Sequence, residues 1–166
     1  MEGKKLFSLG SPVAYIATMD AGSFADLTLD LVRSNNDAIV RTVRGRKSET
    51  VFDFFDEISA ALQFPYYFGE NGDAFEECIN DLDWIEGNAY LIAIPDADLF
   101  LSAASFEQFQ GVMDILRRAN QNWMKPNQYS PRDRPPTPFH LLCQCPAAES
   151  RLIARLKDAA IDFEVL

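Results

Sequence analysis

Several residue types that build catalytic and metal sites are scarce in this sequence. Among 166 residues there is one histidine, His140, and there are three cysteines, Cys78, Cys143 and Cys145. An odd number of cysteines argues against a disulfide framework, and a single Cys-x-Cys pair is a weak zinc signal. We therefore expect packed, reduced thiols, no cofactor, no metal site and a reducing, cytoplasmic compartment.

Long apolar runs are also missing. No stretch approaches the roughly 18 apolar residues that a membrane span needs, and the run that follows Lys5 is broken by Gly10, Ser11 and Pro12. The sequence thus predicts no membrane association and no cleaved signal peptide. Hydrophobic residues make up 48% of the chain and charged residues 24%, as in ordinary globular proteins. The length suits one domain with a substantial core.

Positive charge is absent from the middle of the chain. No lysine, arginine or histidine lies between Ser48 and Leu116, whereas fifteen of the 25 acidic residues do, and the flanks are mildly basic within a net charge of −10. Nucleic acids are bound mainly through lysine and arginine, so this field argues against direct nucleic-acid binding and favours a basic partner. A solubilising acidic surface would have the same composition, so charge alone does not decide between them.

Alternating strand and helix patterns predict an α/β fold. Strand-like runs at 12–18, 37–45, 88–97, 139–145 and 161–166 alternate with helical patterns at 48–64, 72–82, 105–124 and 147–160, while 23–34 fits either. Such alternation predicts mainly parallel strands packed with helices. Residues 125–138 contain five prolines and are predicted to form an exposed, irregular loop.

One stretch, FPYYFGENGDAFEECINDLDW (64–84), departs from ordinary globular sequence. Asn71 is a suitable N-cap, so a helix is predicted to begin at Gly72 and to end near Leu82. Helical spacing gives it a core face of Ala74, Phe75, Cys78, Ile79 and Leu82, and a solvent face of Asp73, Glu76, Glu77, Asn80 and Asp81. Unpaired like charges at these spacings destabilise a helix, so local stability does not explain the acidic face. Gly69 is expected to supply a backbone turn that other residues resist.

Residues 66–78, YYFGENGDAFEEC, resemble the central signature of the barstar family, intracellular inhibitors of a secreted bacterial ribonuclease. The order of predicted elements around the signature agrees with that family over roughly residues 37–145. The resemblance implies a barstar-like layer of mainly parallel strands packed with helices. Three segments lie outside the resemblance: an N-terminal extension (1–36), the proline-rich loop (125–138), and a C-terminal helix and strand (146–166). We expect the extension to pack on that layer and the whole chain to form a single domain.

The resemblance also implies a partner-binding surface. In the family, the aromatic loop and acidic helix plug the ribonuclease active site, and their carboxylates occupy the surface that would hold RNA phosphates. By position, Tyr67 would lie against the catalytic centre, and Asp73 and Glu77 would face the basic residues of the enzyme. The full candidate surface is Tyr67, Phe68, Gly69, Asn71, Asp73, Glu76, Glu77 and Asn80. Glu77 stands for the family's shorter aspartate and Glu76 for an aromatic residue, which disfavours the same ribonuclease as the target.

Three functions are compatible with the sequence. The first is an inhibitor or immunity protein that plugs a basic nuclease, such as the ribonuclease of a bacterial toxin–antitoxin pair. The second is an adaptor or regulatory protein that uses the same fold without a nuclease partner. The third is an enzyme that uses Glu70, Asp73 and Glu77 as metal ligands or as an acid–base pair. The sequence lacks the histidine–carboxylate patterns and glycine-rich phosphate loops that accompany such chemistry, so we expect no enzymatic activity.

Overall fold

A five-stranded, fully parallel sheet forms the centre of the protein in the computed structural model, which describes residues 2–127 and 133–166. Its strands are β1 (Ala14–Thr18), β2 (Ala38–Thr42), β3 (Ala89–Ile94), β4 (Phe139–Cys145) and β5 (Phe163–Val165), in the order β2-β3-β4-β1-β5. Ile16 of β1 lies opposite Cys143 of β4 and Val165 of β5. The prediction of an α/β layer of mainly parallel strands is confirmed.

The described residues contain six α-helices: α1 (Glu2–Lys5), α2 (Ala21–Ser34), α3 (Val51–Leu62), α4 (Gly72–Asp81), α5 (Phe106–Trp123) and α6 (Arg151–Asp158). A 3₁₀ turn at Gly45–Lys47 precedes α3. Helix α3 begins at Val51, because Thr50 and Asp53 form a capping box. The ambiguous segment 23–34 is helical, and the carboxylate of Asp20 caps it by accepting from the backbone N of Ser23 at 3.0 Å. No helix in these described ranges has the length and apolarity that crossing a bilayer requires.

The helices are divided unequally between the two faces of the sheet. The connection from β1 leads to β2 at one edge, whereas the connections from β2 through β3 and β4 to β5 lead towards the other edge. Because crossovers between parallel strands are right-handed, helices that connect in opposite directions lie on opposite faces. Helix α2 accordingly packs on one face, where its Phe24 lies in the same apolar cluster as Tyr15 and Leu142 of the sheet. Helices α3 to α6 enclose the larger core on the other face.

Strands β1 and β4 are neighbours, but the connections that follow them lead in opposite directions along the sheet. In open parallel sheets, ligands usually bind beyond the carboxyl ends of two strands related in this way. Here the buried side chain of Gln144 occupies that position. Its Nε2 donates to the carbonyl of Met19 at 2.6 Å, and its Oε1 accepts from the backbone N of Asp96 at 2.9 Å. Protein atoms therefore join the loops that follow β1 and β3 where a ligand crevice would otherwise lie.

The N-terminal segment is fastened to β4 through the single histidine. His140 is buried, and its two ring nitrogens lie 2.7 Å from the carbonyl oxygen of Pro12 and 2.8 Å from that of Ser8. The ring also packs edge-on against Tyr15, with centroids 5.4 Å apart. His140 is therefore a packed residue of the core. The predicted packing of the three thiols is also confirmed, because all three are free and buried: Cys78, Cys143 and Cys145.

Part of the proline-rich loop is packed against the domain, so the prediction that all of 125–138 is exposed is wrong. Thr137 and Pro138 are buried, and the guanidinium carbon of Arg134 lies 3.4 Å from the ring centroid of Trp123. A cation–π contact of this kind gains strength where water is excluded. Arg134 also exchanges two backbone hydrogen bonds with Asn127, at 2.9 and 3.1 Å. Residues 128–132, which belong to the same prediction, lie outside the described residues.

Candidate functional site

Helix α4 and the aromatic loop before it carry the candidate partner-binding residues. The helix begins at Gly72 because the side chain of Asn71 accepts from the backbone N of Ala74 at 2.9 Å, which confirms the predicted start. It ends at Asp81, because Leu82 adopts a left-handed conformation with φ 50°. The predicted core face is confirmed for four of its five members, since Ala74 is half-buried whereas the others are buried: Phe75, Cys78, Ile79 and Leu82.

The three aromatic residues of the loop have different environments. Phe68 is half-buried, with its ring centroid 5.7 Å from that of Phe55 and 5.1 Å from that of Phe64. Tyr66 is fully exposed, and Tyr67 is 70% exposed with its ring edge-on to that of Tyr66. Phe68 therefore anchors the loop to the core, and two tyrosine rings face solvent. Exposed aromatic surface held on a fixed backbone is typical of interaction sites.

Glu70 makes the backbone reversal in this loop, so the expectation that Gly69 supplies it is wrong. Glu70 has φ 50°, in the left-handed region, whereas Gly69 lies outside that region. A Cβ at Gly69 would lie 3.1 Å from Nδ2 of Asn71, and that amide donates to the carbonyl of Gly69 at 3.1 Å. The glycine therefore leaves room for the residue that caps α4, which links the loop to the start of the helix.

On the polar face of α4, two acids have no ion pair with any described residue, and two other residues bind neighbouring side chains. Asp73 and Glu77 are exposed, and neither forms an ion pair within residues 2–127 and 133–166. Glu76 is held by Arg118 of α5, which donates from Nε to Oε1 at 2.6 Å and from its terminal nitrogen to Oε2 at 3.1 Å. Asn80 accepts from the side-chain amide of Asn122 at 3.1 Å. The expectation of an unpaired acidic face is therefore wrong for Glu76.

The electrostatic environment of the acidic side chains changes along α4. The hydrogen bond from Arg118 holds the pKa of Glu76 below its usual value, and the same contact raises the pKa of Arg118. Near the end of the helix, burial raises the pKa of Asp81, and the charge of Asp83 raises it further. A fixed ion pair therefore lies near the middle of α4, beside α5, and closely spaced carboxylates lie at the C-terminal end of the helix.

We expect Asp81→Asn to raise the free energy of unfolding at pH 7. The pKa of Asp81 is higher in the folded chain than in the unfolded chain, so folding disfavours its ionised form. That penalty is fully present above the raised pKa. It diminishes as the pH falls through the raised pKa and is absent below the ordinary value of 3.8. Urea unfolding of both proteins at pH 7 and at about pH 3 measures the difference. An advantage for the variant that is equally large at low pH would contradict this account.

A groove of about 420 Å³ lies where the first half of α4 faces α3 and α5. Its floor is apolar and includes Val51, Phe55, Val112 and Ile115. Its rim is charged and includes Asp73, Glu76, Asp114 and Arg118. The unpaired carboxylate of Asp73 and the guanidinium of Arg118 are therefore presented at the rim of the same groove.

Two side chains that the sequence analysis did not assign to the site support the last turn of α4. Trp123 is buried and donates from its indole nitrogen to the carbonyl of Ile79 at 2.9 Å. Arg134, stacked on the same indole, donates to the carbonyl of Asn80 at 2.8 Å. Carbonyls in the last turn have no partner within a helix, so these donors complete the helix end. No pattern near α4 in the sequence indicates either donor, because both lie more than forty positions away.

The hypothesis of a carboxylate metal site has no geometric support in the described residues. Within residues 2–127 and 133–166, no three histidine, cysteine, aspartate or glutamate side chains are grouped so that they could hold a metal ion. Glu70, Asp73 and Glu77 therefore do not form such a group. The acidic face of α4 is instead an open surface beside two exposed tyrosines.

The fold and this surface define a parallel α/β protein with an exposed aromatic loop and an acidic helix. A family model described as Barstar (barnase inhibitor) matches residues 38–144. That match covers more than half of the chain, so the protein belongs to the barstar family. The resemblance of residues 66–78 to the signature of this family is confirmed, and the description of the family names an inhibitor of barnase.

Solved structures share the fold over nearly the whole chain. One is a chain of the Drosophila ORC bound to AT-rich DNA and Cdc6, with 16% identity and a TM-score of 0.51; the match covers 93% of this chain and 48% of that chain. Another is a chain of the Drosophila ORC bound to DNA, with 14% identity and a TM-score of 0.57; the match covers 93% of this chain and 26% of that chain. A third is the Aeropyrum pernix ORC2 protein, with 12% identity and a TM-score of 0.55; the match covers 98% of this chain and 43% of that chain. This chain thus spans less than half the length of those chains, and identities this low show the fold alone. No curated protein matches the sequence.

Proposed function

We propose that this protein inhibits a basic nuclease by covering its active site with a plug face, defined here as Tyr67, Asp73, Glu76 and Glu77. The observation that carries the proposal is the joint exposure of Tyr67, Asp73 and Glu77, with no ion pair for either of the two outer carboxylates within the described residues. Fixed carboxylates can stand in for the phosphates of a nucleic acid against lysine and arginine. Their field also accelerates encounter with a basic protein.

In this proposal the protein has no catalytic activity and acts in the bacterial cytoplasm as the immunity partner of a nuclease toxin. The buried, free thiols are compatible with a reducing compartment. The plug face lies within the base-free segment from Ser48 to Leu116, whose negative charge opposes direct binding of nucleic acid. Phe68, Gly69 and Asn71 support the plug face by fixing the loop and the start of α4, and Asn80 ties α4 to Asn122.

Affinity capture from lysate and culture medium of the source organism tests this function. Immobilised wild type is compared with the Asp73→Ala, Glu77→Ala variant, and the bound proteins are identified by mass spectrometry. The matched control is Asp26→Ala with Asp30→Ala, because those acids share the same four-residue spacing on α2, across the sheet from α4. A basic nuclease that wild type and control bind, and the plug-face variant loses, supports the proposal. Purified nuclease is then assayed for inhibition.

The same experiment separates inhibition from an adaptor function. A partner that wild type and the plug-face variant bind equally would place recognition elsewhere on the chain. The nuclease proposal would then be wrong, and the fold would serve a protein with another kind of partner. A salt series adds an independent criterion, because the association rate of an acidic plug with a basic enzyme falls steeply as ionic strength rises.

We expect Tyr67→Ala to weaken nuclease binding by about 2 kcal/mol, the scale of an interface hot spot. Because Tyr67 is 70% exposed, its truncation should leave the urea midpoint of unfolding unchanged. Tyr66→Ala is the matched control, since Tyr66 is a fully exposed neighbour outside the proposed plug face. Titration calorimetry against the captured nuclease measures both variants. Equal losses for the two tyrosines would contradict the role assigned to Tyr67.

A further inference from the structure

A positive charge lies beside the acidic plug face. Asp73 and Glu77 are exposed carboxylates without ion pairs in the described residues, but Glu76 between them is bound by Arg118 of α5. A partner that approaches α4 therefore meets the negative charges of Asp73 and Glu77. On the side that faces α5 it meets a carboxylate already neutralised by a guanidinium.

The geometry fixes Arg118 in this position. Both of its hydrogen bonds go to Glu76 in a two-pronged arrangement, which holds a guanidinium more firmly than a single contact does. The other acid nearby, Asp114, is bound by Arg117 at 3.1 Å. The Arg118 side chain is nevertheless 43% exposed and that of Glu76 36% exposed. The pair is therefore accessible to a partner, and its cation is presented at the rim of the groove that also contains Asp73.

We propose that Arg118 is a specificity-determining residue of the plug face. This inference rests on the proposed function and extends it to the choice of partner. The guanidinium of Arg118 occupies the place at Glu76 that a cation of the partner would otherwise take. A nuclease that presents a basic side chain there meets like charge, whereas one that presents an acidic or neutral side chain does not. Repulsion of this kind selects partners by rejecting the wrong ones.

Barnase, the ribonuclease in the family's description, is the probe for this inference, because the family resemblance implies that it presents basic residues to the acidic helix, which Arg118 should repel. Arg118→Gln is expected to bind barnase about tenfold more tightly than wild type, and Arg118→Lys, which keeps the charge, should resemble wild type. The matched control is Arg33→Gln, which makes the same change of net charge at an exposed position on α2, on the other face of the sheet. It should change the affinity less than twofold.

Two further variants locate the gain. Adding Asp73→Ala and Glu77→Ala to Arg118→Gln should abolish the gain if barnase binds through the plug face. Glu76→Gln with Arg118→Gln replaces the ion pair by a neutral, similarly shaped pair and isolates charge from packing. This variant should bind barnase more tightly than wild type but less tightly than Arg118→Gln. Circular dichroism at each step verifies that the variants are folded.

The inference is overturned if Arg118→Gln binds barnase no better than Arg33→Gln, including the case in which neither binds at 100-fold the concentration used for capture. That outcome leaves the proposed function intact when wild type still captures a nuclease that the Asp73→Ala, Glu77→Ala variant loses. Conversely, failure to capture any nuclease contradicts the proposed function, whatever the Arg118 variants do with barnase. The two ideas are therefore tested separately.

Discussion

The combined substitution Asp73→Ala and Glu77→Ala should lower the affinity for the captured nuclease by at least about 10³-fold. Each carboxylate is exposed in the free protein and would be paired with a cation and removed from water in the complex. Truncating one member of such a pair costs about 2–5 kcal/mol, a range measured in part on the barnase–barstar complex of this same family. Most of the loss should appear as faster dissociation, with a smaller fall in the salt-sensitive association rate.

The fold should not suffer from this double substitution. Neither carboxylate has an ion pair in the described residues, and alanine is the best helix former, so α4 loses no contact with the core. Surface plasmon resonance gives the two rate constants, and urea unfolding gives the stability. The Asp26→Ala, Asp30→Ala control removes the same charge from α2 and should bind nearly as wild type does. Unfolding of the plug-face variant would show that the assignment of its two side chains to the surface is wrong.

Trp123→Ala should produce the largest loss of stability, about 3–5 kcal/mol, as expected when a buried tryptophan is truncated. Its indole is 1% exposed and packs against Tyr90 and Phe139, with ring centroids 4.7 and 6.5 Å away. Truncation also leaves the carbonyl of Ile79 without its donor and removes the ring on which Arg134 lies. Because both contacts support the last turn of α4, the surviving folded protein should also bind the nuclease less tightly.

Urea unfolding and calorimetric binding to the captured nuclease measure the two consequences of Trp123→Ala. Trp84→Ala is a suitable comparison, because that indole also donates to a helix carbonyl, the one of Leu62 at 2.8 Å, but is only half-buried. It should cost clearly less stability. Equal losses of stability in Trp123→Ala and Trp84→Ala would show that the deeper burial of Trp123 does not determine how much it stabilises the fold.

The elements and the faces of α4 could be predicted because local signals determine them. The capping residues Thr50 and Asn71 define where two helices begin, and the periodicity of Phe75, Cys78 and Ile79 defines which face of α4 is buried. These signals depend on neighbours a few positions away, so the sequence contains them directly. The membership in the barstar family followed for the same reason, since its signature is one continuous stretch.

The contacts that shape the site could not be predicted, because they join distant parts of the chain. Glu76 and Arg118 are 42 positions apart, and Arg134 reaches Asn80 across 54 positions. Nothing near Glu76 in the sequence identifies its counter-ion, although Arg117 and Arg118 are the first bases after the acidic segment. The error at Gly69 has a different origin. Glycine is the usual left-handed residue in turns, but here Glu70 takes that conformation and the glycine makes room for the helix cap.

The place of β1 inside the sheet has a consequence for the order of events during synthesis. Ala14 pairs with Leu141 of β4 and with Phe163 of β5, so both neighbours of this early strand come from the far end of the chain. Until residues 139–145 have left the ribosome, β1 has no strand to join, while β2 and β3 can already pair with each other. Long-range pairing of this kind is slow and leaves an apolar strand unprotected. Helix α4, which lies between β2 and β3 in the chain, can therefore form before the sheet is complete.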